Sequence, residues 1–228
     1  MRSLDLAPRR DGRPLLVVAL GAHCDDLEIG AGGLLQLLAT TCPGTRFQVT
    51  VLSSDPDRAA EARACLAAVT AGGELDLQVG DLPDGRLPGC WDAAKDAVQA
   101  AGARAHAAGG ADLVLAPWRG DRHQDHRLLA ELTPTVFRDE LVLGYEIAKW
   151  DGDLGRPAVH VPLPDALAER KSALLHEHYA SQRDRDWFDR DTFLGLLRLR
   201  GVECRSRYAE AFHLDKAVLG LPSPGGAP

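Results

Sequence analysis

Two short segments of this chain concentrate imidazole and carboxylate side chains. The first reads Gly21-Ala22-His23-Cys24-Asp25-Asp26-Leu27-Glu28 and runs on into Ile29-Gly30-Ala31-Gly32-Gly33. The second reads Asp121-Arg122-His123-Gln124-Asp125-His126. Imidazole nitrogen and carboxylate oxygen are the usual ligands of zinc and related divalent ions. One His and one Asp from the first segment, with one His from the second, make three ligands. A fourth position then stays open for water, as a catalytic zinc requires. Hydrolysis also needs groups that do not bind the ion. A second carboxylate can take the proton from the water, and a second imidazole can stabilise an oxyanion or protonate a leaving amine. The two Asp of the first segment and the two His of the second match that division.

The segments act together only if the fold brings them to one place. The continuous apolar run Leu15 to Leu20 predicts a strand buried on both faces. Apolar residues at helical spacing follow from Glu28 to Ala39. Further strands are expected over 47–52, 75–79, 112–116, 141–147, 158–161 and 208–214. Helices are expected over 58–69 (capped by Asp55 or Asp57), 91–107, 123–137, 165–179 and 187–199. This alternation predicts an α/β fold: Rossmann-like, doubly wound, with a mainly parallel sheet flanked by helices. Such sheets bind ligands beyond the carboxyl ends of their strands, where strand order reverses. In one common order, strands one and four flank that point. The two segments are the loops that follow those strands.

These residues resemble a known family. His23-Cys24-Asp25-Asp26 followed by Glu28-x-Gly30-x-Gly32-Gly33 is similar to the AHPDDxExGxGG signature of the PIG-L / LmbE-like zinc-dependent N-deacetylases, and His123-Gln124-Asp125-His126 is similar to their HxDH motif. Arg58-x-x-Glu61, Asp84-Gly85 and the stretch from Tyr145 to Leu163 are similar too. The resemblance implies that His23, Asp26 and His126 hold the metal. It implies Asp25 as general base, and His123, protonated and oriented by Asp125, as the support of the tetrahedral intermediate. It implies Arg58 and Asp84 as substrate contacts, Asp84 through a sugar hydroxyl. The implied cofactor is Zn²⁺, with Fe²⁺ or another divalent transition metal accepted by the same donors. The implied reaction is removal of an N-acetyl (N-acyl) group from an amino sugar or a related small natural-product intermediate. Cys24 departs from the pattern, standing where the family has Pro. A thiolate can bind zinc, but Cys24 is expected to point away, because His23 and Asp26 on either side must converge.

Plainer readings exist for single residues. Asp26 and Glu28 are acids in a first helical turn, favoured by the helix dipole. Asp121 suits an N-cap, Arg58 and Glu61 an ordinary helical pair, and Trp118 the core or a pocket rim. No role is assigned to Glu28, Asp121 or Lys149. The stretch Glu28 to Gly33 also invites a rival reading, as the glycine-rich loop of a nucleotide-cofactor enzyme such as an S-adenosylmethionine-dependent methyltransferase. Such glycines should follow their strand directly, whereas His23 to Asp26 intervene, and two carboxylates repel a pyrophosphate.

Composition narrows the partners. The 228 residues carry a formal charge of −7 with scattered basic residues, which argues against nucleic acid. No stretch approaches the roughly 20 apolar residues of a membrane span, and residues 1–13 lack the apolar core of a signal peptide. The five cysteines are odd in number and form no CxxC pair, which suits a reducing compartment. The expectation is a cytoplasmic enzyme with a small-molecule N-acylated substrate, compatible with homo-oligomer formation. Residues 1–13 are expected as a flexible arm, 14–218 as a single domain and 219–228 as a disordered tail.

Overall fold

The computed structural model describes Leu6 and residues 12–219. The expected arm and tail lie almost wholly outside the described residues. A seven-stranded sheet is built from β1 (Leu16–His23), β2 (Arg46–Ser53), β3 (Glu74–Leu82), β4 (Leu113–Pro117), β5 (Val142–Tyr145), β6 (Val159–Leu163) and β7 (Tyr208–Leu214). Its order is β3-β2-β1-β4-β5-β7-β6. The pairs β3–β2, β2–β1, β1–β4 and β4–β5 are parallel, whereas β7 runs antiparallel to both β5 and β6. The reversal of order falls between β1 and β4, which places the loops after these strands side by side as expected.

Every residue of β1 is buried, because helices cover both faces. Val17 and Ala19 pack into a core shared with α1 (Asp26–Thr41), α2 (Pro56–Val69) and α5 (Asp165–His178). Leu16, Val18 and Leu20 point the other way, toward α3 (Trp91–Ala107) and α4 (Gln124–Val136). The strand period of two thus divides one apolar run between two cores. The last helix, α6 (Arg190–Cys204), packs on β6 and β7.

Two boundaries differ from the expectation in ways that matter, and one of two expected caps is settled. β1 continues past Leu20 to His23, so that imidazole sits at the end of a paired strand. α4 begins at Gln124, and its N-cap is His123, whose Nδ1 accepts the Asp125 N–H at 3.3 Å. Asp121 is therefore not the cap. In α2 the cap is Asp55, whose carboxylate accepts the Arg58 N–H.

The glycines of the first motif lie inside α1, not in a loop. A β-carbon on Gly30 would stand 2.4 Å from Cδ2 of Tyr145, and one on Gly33 would stand 2.4 Å from Cδ1 of Leu163. The N–H groups of Gly33 and Leu34 donate to Glu210 at 2.6 Å each, while Lys171 Nζ takes the Ile29 carbonyl at 2.5 Å. The glycines therefore let α1 press against β5, β6 and β7. The glycines lie within a helix, and the Gly33 N–H is taken by Glu210, so the nucleotide-cofactor reading finds no support.

Candidate metal centre and active site

At the carboxyl ends of β1 and β4 the two motifs meet. His23 Nδ1 lies 3.1 Å from His126 Nε2. His126 Nε2 lies 3.2 Å from Asp26 Oδ1, and His23 Nδ1 lies 3.7 Å from Asp26 Oδ2. Bonds of about 2.0–2.2 Å at tetrahedral angles put ligand atoms roughly 3.3–3.6 Å apart. The two ring nitrogens and the Asp26 carboxylate therefore lie at separations close to such edges, Oδ1 facing His126 and Oδ2 facing His23, and all three residues are buried.

The far nitrogens of both rings meet carboxylates. His23 Nε2 is 3.0 Å from Asp125 Oδ2, and His126 Nδ1 is 2.8 Å from Asp121 Oδ2. A ligating imidazole commonly donates its other N–H to such a group, which fixes ring and tautomer. His123 joins the cluster, its ring centroid 4.8 Å from each of the other two. The imidazoles of His23, His123 and His126 could themselves hold an ion. Asp26, beside His23 and His126, adds a negative charge to that cluster.

The electrostatics follow from packing. Burial disfavours the charged form of Asp26, yet His126 and His23 hold its carboxyl well below the usual range. Burial also works against the charge on His126, but Asp26 and Asp121 outweigh it and raise the ring to about 9. Proton and metal compete for such nitrogens. Asp25 is pushed up to about 7 by burial, against the Arg58 guanidinium, whose nitrogen lies 3.0 Å from Asp25 Oδ1. A cation at the three ligands brings that value down. Asp25 also adopts φ 92°, a left-handed conformation rare for a residue with a side chain and characteristic of functional loops.

The remaining expected residues take definite places. Arg58 bonds the Cys24 carbonyl as well as Asp25. It makes no pair with Glu61, which accepts the N–H and hydroxyl of Ser181 instead. Asp84 stands at the exposed rim, 3.1 Å from His23 Nε2, and that bond lowers its carboxyl to about 2. Cys24 turns away to donate to Ser54 Oγ, and burial pushes its thiol up to about 11. Its sulfur is thus directed to Ser54 and not to the ring nitrogens of His23 and His126. Trp118 stacks on His213 and lines a hollow of about 460 Å³ that contains none of these groups.

Asp125 departs from its expected part. Its carboxylate accepts the Gly85 N–H at 2.8 Å and the Leu87 N–H at 3.0 Å and faces His23, not the His123 ring. Only its backbone N–H reaches His123. Motif spacing missed these partners because they lie about forty positions upstream. It also missed Asp121 and Lys149, whose Nζ lies 3.0 Å from both Asp121 oxygens. A buried Glu28 carboxylate, raised to about 8 by burial, accepts the Tyr179 hydroxyl at 2.5 Å.

Residues 18–137 match the PIG-L family, described as GlcNAc-PI de-N-acetylase, over just over half of the chain. The chain belongs to the PIG-L family. Solved structures share the fold at low sequence identity. N,N'-diacetylchitobiose deacetylase from Pyrococcus horikoshii is 17% identical, with a TM-score of 0.67 over 89% of this chain and 84% of that one. The conserved protein TT1542 from Thermus thermophilus is 20% identical, with a TM-score of 0.68 over 92% and 99%. GalB, the 4-carboxy-2-hydroxymuconate hydratase from Pseudomonas putida, is 15% identical, with a TM-score of 0.67 over 91% and 100%. A hydratase and a deacetylase on one fold show that reaction is decided by site residues, not topology. No curated protein matches this PIG-L sequence. Among the described residues, no helix is long and apolar enough to cross a membrane.

Proposed function

We propose that this PIG-L protein is a metal-dependent amidohydrolase that removes the N-acetyl group of an amino sugar or a related small N-acylated compound. The observation that carries the reading is the convergence of His23, Asp26 and His126, with each imidazole backed by its own carboxylate. These three residues hold the ion. When bound, a divalent ion such as Zn²⁺ or Fe²⁺ polarises the acyl carbonyl and lowers the pKa of water toward about 7.

The chain's own groups carry the protons. Asp25 stands beside the ligand set, fixed by Arg58, and accepts a proton from the attacking water. As the carbonyl becomes tetrahedral, negative charge grows on its oxygen. His123 accepts the Asp125 N–H at Nδ1, which leaves Nε2 to carry a proton and donate to that oxygen. In this arrangement a neutral imidazole suffices, in keeping with the lowering of its pKa by burial and by the neighbouring His126 and His23. The carbon–nitrogen bond then breaks, Asp25 returns its proton to the departing amine, and the products are a carboxylic acid and an amine, between which the remaining water proton passes to give carboxylate and ammonium. Asp84 faces outward where a hydroxylated substrate enters, and Arg58 borders the same mouth.

The test is to incubate the zinc- or iron-loaded protein with N-acetylglucosaminides and other N-acetylated small molecules and to measure free primary amine and acetate. Equimolar release from at least one of them supports the reading. Turnover that survives complete removal of metal refutes it.

A further inference from the structure

We propose that Lys149 is a positioning residue that fixes both His126 and His123 through the buried carboxylate of Asp121. The proposal rests on the reading of His126 as a metal ligand. Asp121 is almost fully buried, with 1% exposure, and four bonds converge on its two oxygens. Oδ1 accepts the His123 N–H at 2.7 Å and Lys149 Nζ at 3.0 Å. Oδ2 accepts His126 Nδ1 at 2.8 Å and the same ammonium at 3.0 Å. The third donor of Lys149 goes to Asp153 at 3.2 Å, and Asp153 also accepts the Arg122 N–H at 2.7 Å. The loop of residues 149–153 is thereby tied to the loop that presents His123 and His126.

Hydrogen-bond roles carry the argument. An ammonium can only donate, so both Asp121 oxygens act as acceptors. The contact with His126 then requires the ring proton on Nδ1, and the Nε2 lone pair faces Asp26 and His23, where an ion would sit. The same carboxylate anchors the backbone of His123, the N-cap of α4. Without Lys149, Asp121 becomes a buried carboxylate stripped of its cation, a state that proteins relieve by rearranging or admitting water. Either response loosens the ring whose orientation it sets. A mere staple between two loops would affect folding and leave the metal site untouched.

The experiment is a zinc titration against a chromophoric chelator, run on the full chain and on Lys149→Met, Asp121→Asn and the double variant, with melting of the metal-free proteins alongside. Lys149→Met should weaken zinc binding by roughly 10–100-fold, the usual effect of losing an outer partner of a ligand. In the Asp121→Asn background the same change should alter affinity by less than about two-fold, the scatter of changes that do not interact. Equal losses in both backgrounds overturn the route through Asp121. A lowered melting temperature with unchanged zinc affinity overturns the positioning role and leaves a loop staple. Wild-type protein that binds no zinc overturns this proposal and the metal reading together, whereas tight wild-type binding with unaltered Lys149→Met overturns this proposal alone. If Lys149→Met does not fold, Lys149→Gln takes its place under the same criteria.

Discussion

Replacing Asp125 by Asn discriminates between two roles for that residue. Its carboxylate serves three donors: Leu87 N–H on Oδ1, and Gly85 N–H and His23 Nε2 on Oδ2. An amide has one acceptor oxygen. If that oxygen takes the place of Oδ2, the new NH₂ faces the Leu87 N–H, donor against donor. If it takes the place of Oδ1, the NH₂ faces both Gly85 and His23. Asp125 is fully buried, so the better orientation still strands one buried donor, which costs about 1–3 kcal/mol. In that orientation His23 keeps an acceptor, but the acceptor loses its charge, so metal affinity should fall, by less than the roughly 10–100-fold of a lost outer partner. Chemical denaturation of the metal-free protein and a chelator-competition titration measure the two effects separately. Were Asp125 the orienting partner of His123 instead, catalytic rate would fall with metal affinity intact. Unchanged affinity together with unchanged stability refutes the reasoning from these contacts altogether.

Further outcomes follow from the same geometry. Asp25→Asn should keep its metal and lose roughly 10²–10⁴ in kcat, the span of general acid–base catalysis, and His123→Ala should keep its metal and lose roughly 10²–10³, as for a removed oxyanion donor; metal analysis beside kinetics checks both. Gly30→Ala puts a β-carbon 2.4 Å from the buried Tyr145 ring and should destabilise the fold by about 1–3 kcal/mol in urea denaturation. Asp84→Ala should raise KM when measured at saturating metal. Arg58→Ala should lower kcat more than it raises KM, because Arg58 holds Asp25 in place; steady-state kinetics on one substrate separate the two.

Much of this arrangement is legible in the chain itself. The apolar run ending at Leu20 marks β1, and the alternation of strands and helices places the two His/Asp segments at one crevice. The expected ligands His23, Asp26 and His126 do come together there, with Asp25 and His123 beside them. What local pattern does not carry is contact across long separations. Asp125 finds Gly85 and Leu87 only because the loop after β3 folds over α4. Lys149 reaches Asp121 from a different loop, and Tyr179 reaches Glu28 from the end of α5. The glycines of the first motif are equally opaque in isolation, since their purpose is set by Tyr145 and Leu163 from distant strands. The cap of α4 is His123 and not Asp121 because the helix begins only at Gln124, while the Asp121 carboxylate serves Lys149, His126 and the His123 N–H.

The most direct measurement is a crystal structure of the zinc-loaded protein with anomalous data collected on both sides of the zinc edge. One anomalous peak should lie within bonding distance of His23 Nδ1, an Asp26 oxygen and His126 Nε2, with Asp25 and His123 outside the coordination sphere. A peak ligated by His123 in place of Asp26, or absent from this cluster altogether, contradicts the assignment of the site.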